Sequence, residues 1–192
     1  MKNSSSAPLS FPGLTPGGEV MTDQGMRRVW IASASNASAA VSSETDMKRE
    51  PSSGPVPHQG IKKLIQVAVG VLFDSSGRFL MTTRPPGKVY EGYWEFPGGK
   101  LEANEDASAA LARELHEELG IETQHIEPWR TECIDYPHGL VELHFCKVTR
   151  WLGELTMKEG QRFSWQRLPV EVSPVLPGTR PVLYWLEEDL AS

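Results

Sequence analysis

The chain has 192 residues, 39% of them hydrophobic and 23% charged, with a net charge of −6 at pH 7. That length supports one domain of ordinary size with a tail, and the acidic balance supplies no basic field to hold a nucleic-acid backbone. No apolar run approaches the roughly 20 residues of a membrane span, so the expected partner is a small molecule, and an anionic one needs a local positive site or a metal.

Residues 1–60 are rich in Ser, Ala, Gly and Pro without a sustained period, and are expected to be disordered, with a folded domain over 61–192. Arg27-Arg28-Val29-Trp30-Ile31 is the one stretch in that tail suited to docking. Lys2 is followed by serines and no apolar segment precedes Pro12, which makes a poor signal peptide. Glu19, Asp23, Glu44 and Asp46 argue against a mitochondrial address, so the expected location is the cytoplasm. Starts at Met21, Met26 or Met47 would each leave the domain intact.

Ile61 to Phe73 is continuous and β-branched enough for a central strand; Asp74-Ser75-Ser76-Gly77 is a turn and Arg78 to Arg84 a returning strand. Pro85-Pro86-Gly87 opens a loop that ends at Trp94-Glu95-Phe96-Pro97. Ala107 to Leu119 is predicted to be a helix, with Asp106 as N-cap and Gly120 as a left-handed C-cap. Trp129 to Tyr136 and Val141 to Trp151 alternate like strands, and Phe163 to Gln166 is a short one. Thr179 is expected to cap a last helix with Pro181 in its first turn and Val182, Leu183, Leu186 and Leu190 as its apolar stripe. Strands around two helices indicate an α/β sandwich. Cys133 and Cys146 have no metal-ligand spacing and read as reduced, partly buried thiols; the five histidines share no ligand spacing either.

The helix carries the chemistry. At about 100° per residue, Ala107, Ala110, Leu111 and Leu115 form its core-facing arc. Glu114 and Glu118 fall inside that arc and Glu117 on its margin, whereas a solvated acidic face would lie opposite. Carboxylates at this spacing repel one another, and half-burial raises that cost unless a cation neutralises them. Arg113 is the helix's one basic residue besides His116, so the pattern asks for a metal, and hard oxygens suit Mg²⁺ with Mn²⁺ as a substitute.

Gly99, five residues, Glu105, seven residues, Arg113-Glu114-Leu115, one residue, Glu117-Glu118, one residue and Gly120-Ile121 resembles the Nudix box at every defining position. Seven fixed residues at about 6% usage each match by chance on the order of 10⁻⁹ per start position. The resemblance implies a Nudix-type α/β/α sandwich with a mixed sheet between helices, preceded by a disordered tail. It also implies an enzyme that uses Mg²⁺ to cut a diphosphate linked to another group.

The flanks, Thr83-Arg84 and Trp94-Glu95-Phe96-Pro97-Gly98-Gly99-Lys100, are similar to the MutT subgroup, whose members hydrolyse 8-oxo-dGTP and related oxidised nucleotides. That likeness covers residues 61–190 and implies a nucleotide substrate for a monomer or weak dimer. By resemblance, Glu114, Glu117 and Glu118 hold the metal with the Gly98 or Gly99 carbonyl, and Arg113 holds Glu carboxylates in place. Glu105 supports the loop, Lys100 and Arg84 meet phosphate oxygens, and Glu95, Phe96, Pro97 and Tyr136 lie around the base. The chain departs from the subgroup at Thr179, where a base-reading Asn is normal, and at Ser164, where some members supply a further Glu. Open alternatives are a Nudix pyrophosphatase for ADP-ribose, a pyrimidine nucleotide or a dinucleoside polyphosphate, and a catalytically silent regulator that binds a nucleotide.

Overall fold

The computed structural model describes residues 14–22, 25–32, 63–136 and 139–190. The fold grows from the strand β3 (Leu64–Leu72). Its alternation sends Ala68 and Leu72 to one face and Val69 and Val71 to the other, as a strand buried on both sides requires. β8 (Gly139–Leu152) pairs with it in parallel and the short β6 (Gly98–Lys100) antiparallel, so both edges of β3 are occupied. β7 (Glu122–Tyr136) runs antiparallel to β8 through three register shifts.

With β3 closed on both edges, β4 (Phe79–Thr83) cannot pair along it as the sequence suggested, and an isolated bridge, Phe73–Phe79, is formed just past the end of β3. β4 instead centres a second, three-stranded antiparallel sheet between β5 (Trp94–Glu95) and β9 (Phe163–Gln166). All five of its residues are buried, Leu80 toward one core and Phe79 and Met81 toward the other.

The mixed sheet lies between two helices, as expected. α1 (Ala107–Leu119) buries Ala110, Leu111, Leu115 and Leu119 against Ala68, Leu72, Leu80, Cys146 and Val148. Asp106 caps it by accepting the Ala109 N–H at 2.8 Å, and Gly120 closes it at φ 71°. α2 (Arg180–Leu190) covers the other face with Val182, Trp185 and Leu186. Here the sequence reading needs two corrections. Thr179 is not an N-cap but the last residue of a 3₁₀ turn, Pro177–Thr179, that runs into α2. Leu190 is 79% exposed, and Trp185 fills the helix stripe in its stead.

Two short segments of the stretch expected to be disordered are strands. β1 (Leu14–Thr22) and β2 (Gly25–Ala32) form a hairpin, and β2 joins β7 in parallel at Trp30–Ile134 and Ile31–Asp135. The six-stranded order is therefore β1-β2-β7-β8-β3-β6. Val29 is buried with Leu64, Cys133 and Leu140 on one face, and on the other Trp30 Nε1 donates to Glu132 at 2.9 Å. Arg27 Nε donates to Glu142 at 2.7 Å, where the carboxylate side chain is 6% exposed. The rest of residues 1–60 lies outside the described residues. Cys133 and Cys146 are free and buried, and among the described residues no helix is long and apolar enough to cross a membrane.

The hairpin's hold on the sheet is measurable. Removing Arg27 strips a buried carboxylate of its cation, a loss of about 2 kcal/mol for a half-exposed arginine. Arg27→Ala is expected to lower the thermal midpoint by roughly 4–8 °C; a shift below about 1 °C would show that the Arg27–Glu142 pair does not hold the hairpin to the sheet.

Candidate active site

The site begins with two glycines. Gly98 has φ +148°, a conformation that side chains disfavour, and a Cβ there would collide with the Ala68 carbonyl oxygen. A Cβ on Gly99 would collide with the Glu114 carboxylate. The backbone of β6 therefore lies directly on the carboxylate face of α1, and the Gly98 N–H donates to Glu118. Pro97 is buried, and its carbonyl accepts the Gly70 N–H at 2.9 Å, which fixes the chain as it enters the glycine pair.

Arg113 organises the acidic groups. Its Nε and Nη2 donate to the two oxygens of Glu105 at 3.0 and 2.9 Å. Nη1 donates to Glu114 at 2.9 Å and to Glu117 at 3.3 Å, and Nη2 also reaches the Lys100 carbonyl at 3.0 Å. Such a planar fork suits bidentate carboxylate pairing. Glu105 also accepts the Glu102 N–H at 3.0 Å, closing the loop between β6 and α1. The arginine and that N–H hold the Glu105 carboxyl below its ordinary range.

Glu118 is not among the partners of Arg113. Burial, then the charges of Glu159 and Glu114, push its carboxyl up to about 8, against the opposing Gly98 N–H. Its carbonyl end is anchored, since Lys158 N–H and Gln161 Nε2 donate to the Glu118 oxygen at 3.0 and 3.1 Å. Among the described residues no three His, Cys, Asp or Glu side chains form a finished metal cage. Arg113 draws Glu114 and Glu117 to itself, with Glu117 still 58% exposed. The residues nonetheless fit a divalent ion. A half-buried carboxyl left without a cation stands beside Glu114 and two glycines whose missing side chains leave the backbone open, and the donors are hard oxygens.

On the Gly98 side, a cavity of about 240 Å³ opens on the face of the sheet that α2 covers. Val67, Val69, Leu143 and Phe145 form its floor, Glu95, Phe96 and Gly98 one wall, and Thr179 and Val182 another. Thr179, 4% exposed, thus lines the cavity. Arg84 lies here too, but it is committed: Nη1 donates to both Glu95 oxygens at 3.0 and 2.8 Å, and Nε to the Val89 carbonyl at 2.6 Å. Burial still raises the Glu95 carboxyl, with Arg84 opposing. Lys100 is exposed at the end of β6. Tyr136 ends β7, and its side chain lies outside the described residues. Ser164 sits on β9 opposite Met81 and accepts from Gln166 Nε2 at 2.7 Å. Trp30, in the stretch the sequence marks as suited to docking, meets Glu132 here; nothing local to Glu132 signals that β2 and β7 pair.

A strand carrying two glycines thus lies on a helix of paired carboxylates, next to a cavity. The chain belongs to the Nudix family, whose NUDIX domain matches residues 63–186. It is 42% identical over 99 residues to an 8-oxo-dGTP diphosphatase of Proteus vulgaris, covering 52% of this chain and 88% of that protein. A CTP pyrophosphohydrolase of Escherichia coli K12 is 35% identical over 123 residues, covering 63% and 90%. The solved structure of MutT from a study of Aliivibrio salmonicida and Vibrio cholerae matches with a TM-score of 0.56 at 30% identity, covering 66% of this chain and 99% of that one. Nudix hydrolases use divalent metal ions, and the β1–β2 hairpin lies outside the matched residues.

The Glu118 carboxyl makes the metal-free protein sensitive to pH. The unfolded chain loses this proton near 4.5 and the folded chain near 8. The folded state thus binds more protons in that window, and stability falls as pH rises through it. In EDTA the thermal midpoint is expected to drop from pH 5 to pH 8 by clearly less in Glu118→Gln than in the parent; equal drops would rule out the half-buried, uncompensated carboxyl.

Proposed function

We propose that this protein hydrolyses nucleoside triphosphates to the monophosphate and pyrophosphate with Mg²⁺, or Mn²⁺ in its place, and that 8-oxo-dGTP is its preferred substrate. The observation that carries the reading is the Gly98–Gly99 strand, which separates a base-sized cavity from the carboxylates of α1 by the width of one backbone. A nucleotide seated in the cavity has its phosphates directed to that strand and its base toward Thr179 and Phe96. The similarity to an 8-oxo-dGTP diphosphatase and to MutT supports the same assignment.

Glu114, Glu117 and Glu118, with the Gly98 or Gly99 carbonyl, hold the ion in this reading. A bound divalent cation supplies charge neutralisation on the phosphates and lowers the cost of attack at phosphorus. Arg113 keeps Glu114 and Glu117 in position and Glu105 braces the loop around it. The exposed Lys100 meets phosphate oxygens, whereas Arg84, bound to Glu95, shapes the cavity wall. The pool of free nucleotides places this work in the cytoplasm, with the chain acting as a monomer or weak dimer. A second reading, hydrolysis of CTP, is favoured by Thr179 at the cavity: its lone hydroxyl forms one fewer hydrogen bond to a purine edge than the amide of Asn would.

Pyrophosphate release from 8-oxo-dGTP, dGTP, CTP and ADP-ribose in parallel tests the proposal. The expected order puts 8-oxo-dGTP first in kcat/KM, mostly through KM, because the phosphate chemistry is shared. Glu118→Gln should cut kcat at least ~10²-fold on every substrate. A tenfold or greater advantage for CTP or ADP-ribose would overturn the oxidised-guanine assignment, and full activity of the Gln variant would overturn the metal assignment.

A further inference from the structure

The N-terminal hairpin ends at a small cleft beside the cavity floor, and the contact has a specific chemistry. Glu132 and Ile134 are two apart on β7 and share a face, and Glu132 stands directly opposite Leu143 on β8. Leu143 and Phe145, again two apart, form part of the cavity floor. Trp30 joins this face through its register with Ile134 and its indole N–H bond to Glu132. A narrower cleft lined by Trp30, Glu132, Ile134 and Trp185 shares Leu143, Phe145 and Gly178 with the larger cavity. Glu132 does not line the larger cavity; it stands beside the Leu143 part of its floor, across a cleft of about 10 Å³ that admits a group the size of water or an amino group.

An ionised carboxylate only accepts hydrogen bonds, and its two oxygens offer about four sites. The Trp30 N–H takes one and orients the group. Guanine and 8-oxoguanine present adjacent N–H donors along their pairing edge. Cytosine presents one amino group beside a ring nitrogen and a carbonyl, both acceptors that a carboxylate repels. Thr179, with a single hydroxyl, cannot make that distinction alone. Burial raises the Glu132 carboxyl while Trp30 and Arg130 hold it down, so the group is half desolvated and its contacts are correspondingly strong.

We propose that Glu132 reads the donor edge of a guanine-type base, with Trp30 of the N-terminal hairpin as the residue that positions it. The inference rests on the nucleotide reading above and narrows it: the hairpin, which lies outside the matched NUDIX domain, completes the base site. It also places selection against pyrimidines on Glu132 and not on Thr179.

Equilibrium binding of dGMP, 8-oxo-dGMP and CMP to the full chain with Mg²⁺ tests this without hydrolysis. Glu132→Gln, which puts a donor where the acceptor stood, should weaken both guanine nucleotides about tenfold or more and leave CMP within twofold. Trp30→Phe keeps the ring and loses the N–H, and should weaken the same two ligands about threefold. Thermal melts check both variants, and Trp30→Phe carries the test if Glu132→Gln does not fold. No guanine preference in the parent, or equal weakening of all three ligands in a folded variant, overturns the proposal. A substrate panel led by another nucleotide, with guanine binding still dependent on Glu132, would sink the 8-oxo-dGTP assignment and leave this one standing.

Discussion

One guanidinium serves three carboxylates. Arg113 binds Glu105 through both its oxygens and reaches Glu114 and Glu117 with its remaining donors, so one positive charge is set against three carboxylates. That arrangement exhausts the arginine and leaves the half-buried Glu118 without a cation beside Glu114 and Glu159. A half-buried carboxyl in that position either keeps a proton or acquires a metal. The close approach of Gly98 and Gly99 follows from the same economy of space, since any side chain there would displace the Ala68 carbonyl or the Glu114 carboxylate.

The sheet divides the labour. α1 and its carboxylates lie on the face of Ala68, Leu72, Cys146 and Val148, and the cavity lies on the face of Val69, Phe145 and Val182. β6 sits at the edge between them, which is why a three-residue strand can present backbone to both the acids and the cavity. At the opposite edge the hairpin extends the same two faces, with Val29 on the first and Trp30 on the second.

Features set by neighbouring residues were legible in the sequence. The α1 caps, its buried stripe and the placement of Glu114 and Glu118 follow from helical periodicity, and the box spacing followed from that helix. Alternation gives β9 as observed and all but the ends of β8, but β7 begins at Glu122, well before the Trp129 at which alternation becomes visible. What depends on distant pairing was not legible. Nothing within Arg78 to Arg84 signals that β3 has no free edge for β4 to join. Arg84 reads as a phosphate contact until the fold turns Glu95 toward it. Val29-Trp30-Ile31 stood out as a docking stretch, but its partner strand lies a hundred residues on, and the surrounding Ser and Gly conceal a short alternation.

The uncompensated Glu118 carboxyl is most directly tested by counting protons as a divalent ion binds. Mn²⁺ titrations of the metal-free protein at pH 7 in buffers of different ionisation enthalpy give that count. With the Glu118 carboxyl lifted to about 8, the parent should release close to one proton per bound ion. Glu118→Gln should bind more weakly and release almost none. Equal proton release from the two proteins, or Mn²⁺ binding unaffected by the substitution, would contradict a metal site built on Glu118.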